Sequence, residues 1–201
     1  MATQITLDRR ELLGPLFPDP GRYLFITGLA GPARDVCALT QESDNVFTMA
    51  GAMGAAVSMG LGVALSAPDQ PVAVVTGDGE LMMNVGSLAT VASMMPDNLT
   101  IVCIDNGCHG ETGGQPGHTA RRTNLAIMAE GAGIPSVMTV ESPDQLAAAA
   151  RFLTDAPAPR FLWARVKEGP PSRWARNFNL SDCRLRFRNA WLAKHPAQAA
   201  R

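Results

Sequence analysis

Tyrosine occurs once, tryptophan three times and phenylalanine seven times in 201 residues. So few rings disfavour the stacking platforms on which proteins hold single-stranded nucleic acid. A formal net charge of −1 excludes a basic footprint over the whole molecule. The four cysteines, Cys37, Cys103, Cys108 and Cys183, form no C-x-x-C pair and no zinc-ligand spacing. Free thiols in a reducing compartment are the expectation. The opening MATQITLDRRELL lacks an apolar run behind a basic start, so no secretory signal is expected and a cytoplasmic location is. Residues 49–67 carry no charge, but they hold several glycines and serines and are flanked by Asp44 and Asp69 with no Lys or Arg nearby. That pattern reads as a buried helix of a soluble protein, not a membrane span.

What is present is enough apolar material to fold. Hydrophobic residues make up 46% and charged residues 17%, which excludes overall disorder. The length suits one domain of about 100–200 residues and is too short for a large multi-domain catalyst. No internal repeat is visible. The charge balance is uneven along the chain: residues 1–159 hold 7 basic and 16 acidic side chains, residues 160–201 hold 10 and 2. In the basic tail, Arg residues alternate with Trp174, Phe178, Leu180, Leu185, Phe187 and Trp191. So apolar a segment is expected to dock as a helix or arm on an acidic protein surface rather than on nucleic acid.

Strand-length apolar runs alternate with helical segments. Strands are predicted at 23–27, 71–76, 99–104, 136–140 and 160–166. Helices are predicted at 7–17, 32–39, 52–66, 80–94, 124–131 and 144–153. Gly60 and Gly62 are expected to let the third helix pack closely on a neighbour. The fold class is therefore α/β: three layers, a mainly parallel sheet flanked by helices. Ligands in such sheets bind at the carboxyl ends of strands, where two glycine-rich loops fall.

The first loop, Thr76-Gly77-Asp78-Gly79-Glu80, combines close backbone approach, the N–H groups of a following helix and one hard oxygen ligand. That suits a diphosphate with a divalent cation, because Mg²⁺ favours a carboxylate plus phosphate oxygens. By itself a Gly-Asp-Gly turn is weak evidence. The second loop starts Asp105-Asn106-Gly107-Cys108, and 26 residues separate Gly79 from Asn106. One helix and one strand fill that gap, so Asp78 and Asn106 are expected at the same sheet edge.

These residues carry a resemblance. Gly77-Asp78-Gly79, the spacing and the Asn106 loop resemble the diphosphate-binding domain of thiamine diphosphate enzymes. Met49-Ala50-Gly51-Ala52-Met53-Gly54 resembles the segment that faces the cofactor rings in the decarboxylase branch. Gly110-Glu111-Thr112-Gly113-Gly114-Gln115-Pro116 is similar to the loop of sulfopyruvate and phosphonopyruvate decarboxylases. The resemblance implies a thiamine diphosphate-binding domain over residues 1–167, with residues 168–201 an arm packed on it or on a neighbouring subunit.

By position, the resemblance implies that Asp78, Asn106 and the Cys108 carbonyl ligate Mg²⁺, and that Gly77, Gly79 and Glu80 hold the diphosphate through the backbone. Met53 would wedge between the cofactor rings beside Ala52, with the Gly51 carbonyl accepting from the exocyclic amine. His109 and Gly110 would line the cofactor, and His109 and Glu111 would serve the reacting end, with His118 a weaker candidate. Asp105 stands where many relatives have Asn. Arg121 and Arg122 are candidates to meet an anionic group on the substrate.

The family's glutamate from a pyrimidine-binding domain has no counterpart in this chain. The resemblance therefore implies one subunit of a split, oligomeric 2-oxo acid decarboxylase whose partner carries that domain, acting on a small anionic 2-oxo acid. Alternatives are an acetolactate synthase-like carboligase, the small subunit of a 2-oxo acid:ferredoxin oxidoreductase, and a non-catalytic cofactor-binding subunit.

Overall fold

Six strands pair side by side, every neighbour parallel, in the order β2-β1-β3-β4-β8-β7. They are β1 (Leu24–Thr27), β2 (Val46–Thr48), β3 (Val72–Gly77), β4 (Leu99–Asp105), β7 (Ser136–Val140) and β8 (Arg160–Arg165). A two-residue hairpin, β5 (Cys108–His109) with β6 (Gln115–Pro116), lies outside the sheet. The structure is a computed structural model and describes residues 4–195. The ends of the two predicted segments, 1–3 and 196–201, lie outside the described residues.

Period-2 alternation sends successive side chains to opposite faces. Ile26, Val74, Ile101 and Phe161 enter one apolar layer. Phe25, Val75, Val102 and Leu162 enter the other. The first layer is closed by α3 (Ala56–Ser66), α5 (Ser87–Met94), α6 (Leu125–Gly131) and α8 (Leu180–Lys194). The second is closed by α1 (Leu13–Leu16), α2 (Ala30–Thr40) and α7 (Leu146–Asp155). Both faces of the sheet are covered, which explains why the central strands read as continuous apolar runs.

Several predicted elements are redrawn. The helix expected at 7–17 is a 3₁₀ turn at Arg9–Glu11 followed by the short α1. The helix expected from Ala52 starts only at Ala56, and Met49–Gly54 is a turn in which Ala50 and Gly54 take φ +50° and +81°. The single helix expected at 80–94 is two, α4 (Asp78–Met83) and α5, broken at Asn84–Gly86. Gly60 does admit close packing, since a Cβ there would overlap the Val74 side chain, whereas Gly62 faces nothing within 4 Å. Strand β2 is additional to the prediction.

The basic tail returns to its own domain. Glu42 accepts from Trp174 Nε1 (2.9 Å) and from Asn177 N (3.1 Å). Arg186 faces Glu42 and Asp44, both at 3.7 Å. Phe187 packs edge-on to Phe47 of β2, their rings 6.0 Å apart.

Candidate active site

The order in which strands are added reverses at β1: β2 lies on one side of β1, and β3 and β4 on the other. This topological switch opens a crevice at the carboxyl ends of the strands. A cavity of about 600 Å³ occupies it. Three turns form most of its walls, Leu29–Pro32 after β1, Gly77–Glu80 after β3 and the Asn106–Gly114 loop after β4, and residues 168–171 of the tail line it as well. The register pairs Gly77 with Ile104, so Asp78 and Asn106 leave adjacent strands at the same edge.

Asp78 is buried, and burial together with the neighbouring Asp105 carboxylate pushes its carboxyl up to about 7. Asp105 is equally buried but well supplied with donors. Its Oδ2 accepts from Trp163 Nε1 (2.8 Å), and its Oδ1 accepts from Thr119 Oγ1 and Gly107 N, both at 2.7 Å. Thr119 lies farther from Asp78, at 3.4 Å. With one hydroxyl proton to give, it serves Asp105. Asp78 keeps the backbone N–H groups of Asp78 and Gly79 and the more distant Thr119 hydroxyl, which do not offset its burial beside Asp105, so it is the carboxylate in need of positive charge.

The loop is cinched over this pair. Gly117 N donates to Gly107 O at 2.6 Å, and a Cβ on Gly117 would stand 3.1 Å from Asp78 Oδ2. Among the described residues no three His, Cys, Asp or Glu side chains cluster as an all-protein metal cage. Asp78 with the Asn106 amide oxygen is instead the sparse oxygen donor set that Mg²⁺ accepts when phosphate and water complete its shell. The residues present therefore fit a Mg²⁺–diphosphate group.

Glu80 adds a second buried carboxylate. Its Oε2 accepts from Thr76 Oγ1 (2.9 Å), and its Oε1 is buried without a partner. Burial raises its pKa, while Thr76 and the nearby backbone of Leu29, Gly54 and Gly77 oppose the rise. The carboxylate sits where Gly28 has no side chain; a Cβ there would overlap it.

Of the residues expected from the sequence, Met53, Gly77, Asp78, Gly79, Glu80, Asn106, Cys108, His109, Gly110 and Glu111 line the one cavity. Gly51 and Ala52 are exposed beside it and do not line it. Met53 is 42% exposed, in a turn and not on a helix. A Cβ on Gly79 would lie 3.1 Å from His109 Nδ1, so His109 lies directly over the first glycine loop. His118 is exposed, its ring 6.2 Å from that of His109. Arg121 and Arg122 line a separate cleft, with Glu141, Trp163 and Arg165, and so do not share the cavity. Burial, with the nearby carboxylates, raises the Cys108 thiol.

Sequence reasoning missed the third wall. Arg9, Leu29, Gly31 and Arg34 also line the cavity, and Ala30 takes φ +66°. The turn after β1 holds two glycines, a cue that was available. Trp163 and Thr119, which hold Asp105, come from distant positions and leave no local signal.

Fold and site together define an α/β domain with a carboxylate-bearing cavity at the carboxyl ends of its parallel strands. Residues 35–162 match the family described as thiamine pyrophosphate enzyme, C-terminal TPP binding domain. The chain belongs to this family.

The chain is 40% identical over 118 residues to sulfopyruvate decarboxylase subunit beta of Methanocaldococcus jannaschii, covering 59% of this chain and 62% of that one. It is 45% identical to phosphonopyruvate decarboxylase of Streptomyces hygroscopicus over 118 residues, 58% of this chain and 29% of that one. A third relative, sulfopyruvate decarboxylase subunit beta of Methanococcus maripaludis, is 29% identical over 186 residues, 92% of this chain and 97% of that one. The chain thus spans less than two thirds of the first two relatives. A solved thiamin diphosphate-dependent enzyme from Mycobacterium smegmatis shares the fold: TM-score 0.68, 19% identity, 81% of this chain and 32% of that one.

Proposed function

We propose that this chain is the diphosphate-binding subunit of a split thiamine diphosphate- and Mg²⁺-dependent 2-oxo acid decarboxylase, a carbon–carbon lyase. Its substrate would be a small 2-oxo acid with a second anionic group. The observation that carries the reading is Asp78, a buried carboxylate at the β3 edge, beside Asn106 and short of positive charge. Likeness to subunit beta of sulfopyruvate decarboxylase supports the division into subunits.

In this reading Asp78, the Asn106 amide and the Cys108 carbonyl hold Mg²⁺, and the backbone of Gly77–Glu80 meets the diphosphate. Thiamine diphosphate, when bound, supplies the electron sink for loss of CO₂. Met53 supports the ring end of the cofactor, with Gly51 and Ala52 beside it. His109, half-buried over Gly79, is placed to hold or pass a proton near the substrate, and Glu111 stands at the exposed mouth. The partner subunit supplies the pyrimidine-binding half and its glutamate, and the assembly is an oligomer working in the cytoplasm.

Co-expression with such a partner tests the proposal. The reconstituted pair should release CO₂ from sulfopyruvate or phosphonopyruvate only with thiamine diphosphate and Mg²⁺. A second reading has one specific support: 32% identity over 85 residues to 2-oxoglutarate synthase subunit KorB of Methanocaldococcus jannaschii, 42% of this chain and 32% of that one. Ferredoxin reduction in place of simple aldehyde formation would favour it.

A further inference from the structure

A charged pair that the Mg²⁺ site does not use stands behind the wall after β1, its Arg9 supplied by the 3₁₀ turn Arg9–Glu11. The Arg9 side chain is only 7% exposed, and it pairs with Asp35, 2% exposed, on α2. The pairing is incomplete. Asp35 Oδ2 accepts from Arg9 Nε at 2.8 Å and lies 2.7 Å from Nη2, yet Nη2 is fully buried without a hydrogen bond. The other oxygen of Asp35 is occupied by Ser172 N at 2.8 Å. One carboxylate oxygen is therefore shared between Nε and Nη2 of the guanidinium, and Nη2, though ion-paired, lacks a well-aligned acceptor of its own.

Arg–carboxylate pairs frequently use both carboxylate oxygens on the fork; here Ser172 N holds the second oxygen and the guanidinium keeps donor capacity to spare. The guanidinium lies instead over the Cα of Gly31, which must lack a side chain for it to fit. Gly31 is in the first turn of α2, an eleven-residue helix whose N-cap, Leu29, provides no side-chain cap. Two independent sources of positive potential, the fork and the helix N-terminus, meet at one corner of the cavity that also holds Asp78. Arg34, on the same helix, adds a third.

We propose that Arg9, oriented by Asp35, is a cofactor-binding residue that receives the terminal phosphoryl group of the diphosphate. The planar fork matches phosphate oxygens. Asp78 and Asn106 engage the diphosphate through the metal ion, and Arg9 takes its far end at α2. The assignment rests on the thiamine diphosphate reading above.

Inorganic pyrophosphate with Mg²⁺ is the direct probe, because it needs no pyrimidine-binding partner. Its affinity for the full-length chain is measured by titration calorimetry in wild type, Arg9→Met and Gly31→Ala. The second variant displaces the guanidinium without removing it, and keeps the test decisive if Arg9→Met does not fold; circular dichroism checks both. Each folded variant should bind roughly tenfold or more weakly, the loss of a charge-assisted bidentate contact. Wild-type affinity in the folded variants would overturn the Arg9 assignment and leave the cofactor reading standing. If the wild-type chain itself bound no Mg²⁺–pyrophosphate, the cofactor reading would fall with it.

Discussion

Asp78 and Asp105 show how one edge assigns different roles to two like side chains. Asp105 is satisfied by Trp163, Thr119 and Gly107, whereas Asp78 has burial and a negative neighbour against it. Asp78→Ala should abolish Mg²⁺-dependent pyrophosphate binding while leaving the melting temperature equal or higher, because a strained carboxylate is removed. Calorimetry and a thermal melt check both halves. The same strain has a pH signature. In the unfolded chain Asp78 titrates near 3.8, and in the folded metal-free chain near 7, so the folded state holds the extra proton between those values. Stability without metal should therefore fall as pH rises from about 4 to 7, and Glu80, also raised, acts in the same direction. Melts in chelator across that window should show the decline, and added Mg²⁺ at pH 8 should reverse it. Trp163→Phe removes one donor to Asp105 and should cost about 1–3 kcal/mol, measured by urea unfolding.

At the scale of elements, local patterning predicted the central strands well, because runs such as Val72–Thr76 and Leu99–Ile104 are apolar on both faces. It overestimated helices. Residues 80–94 read as one apolar helical stretch, but Asn84 and Gly86 are poor helix formers, and the chain turns at Asn84–Gly86 so that α4 begins at the cavity and α5 packs on α3. The turn at Met49–Gly54 overrides helix propensity in the same way, keeping Met53 beside the cavity. Strand β2 escaped because three residues are too few for periodicity to register. Close packing of α3 on β3 depends on one position: Gly60→Ala would drive a methyl into Val74 and should cost about 1–3 kcal/mol, whereas Gly62→Ala, with open space around it, should be neutral or stabilising. Paired denaturation curves distinguish the two.

At the scale of the whole molecule, the acidic body and basic tail complement each other: Glu42 gathers Trp174, Asn177 and Arg186. Glu42→Ala should loosen residues 168–195, read as faster limited proteolysis within that stretch and a lower melting temperature. No described helix is long and apolar enough to cross a membrane. The cavity exposes Met53 and Glu111 at its mouth, which supports the proposed division of the site between two subunits. The isolated chain should therefore release almost no CO₂ from 2-oxo acids, and addition of the partner should restore it.

The sequence by itself determined the α/β class and the convergence of Asp78 with Asn106. Both follow from local patterning: apolar runs dictate strands, and a short helical crossover between two loops favours neighbouring strands. Only the tertiary structure decided the rest of the site. Arg9, Asp35 and Gly31 meet across 26 residues, and Trp163 reaches Asp105 across 58. Such contacts depend on strand order and on which face each side chain leaves. Neither property is carried by a short stretch of chain, so the buried charges that complete this cavity emerge only when the sheet is assembled.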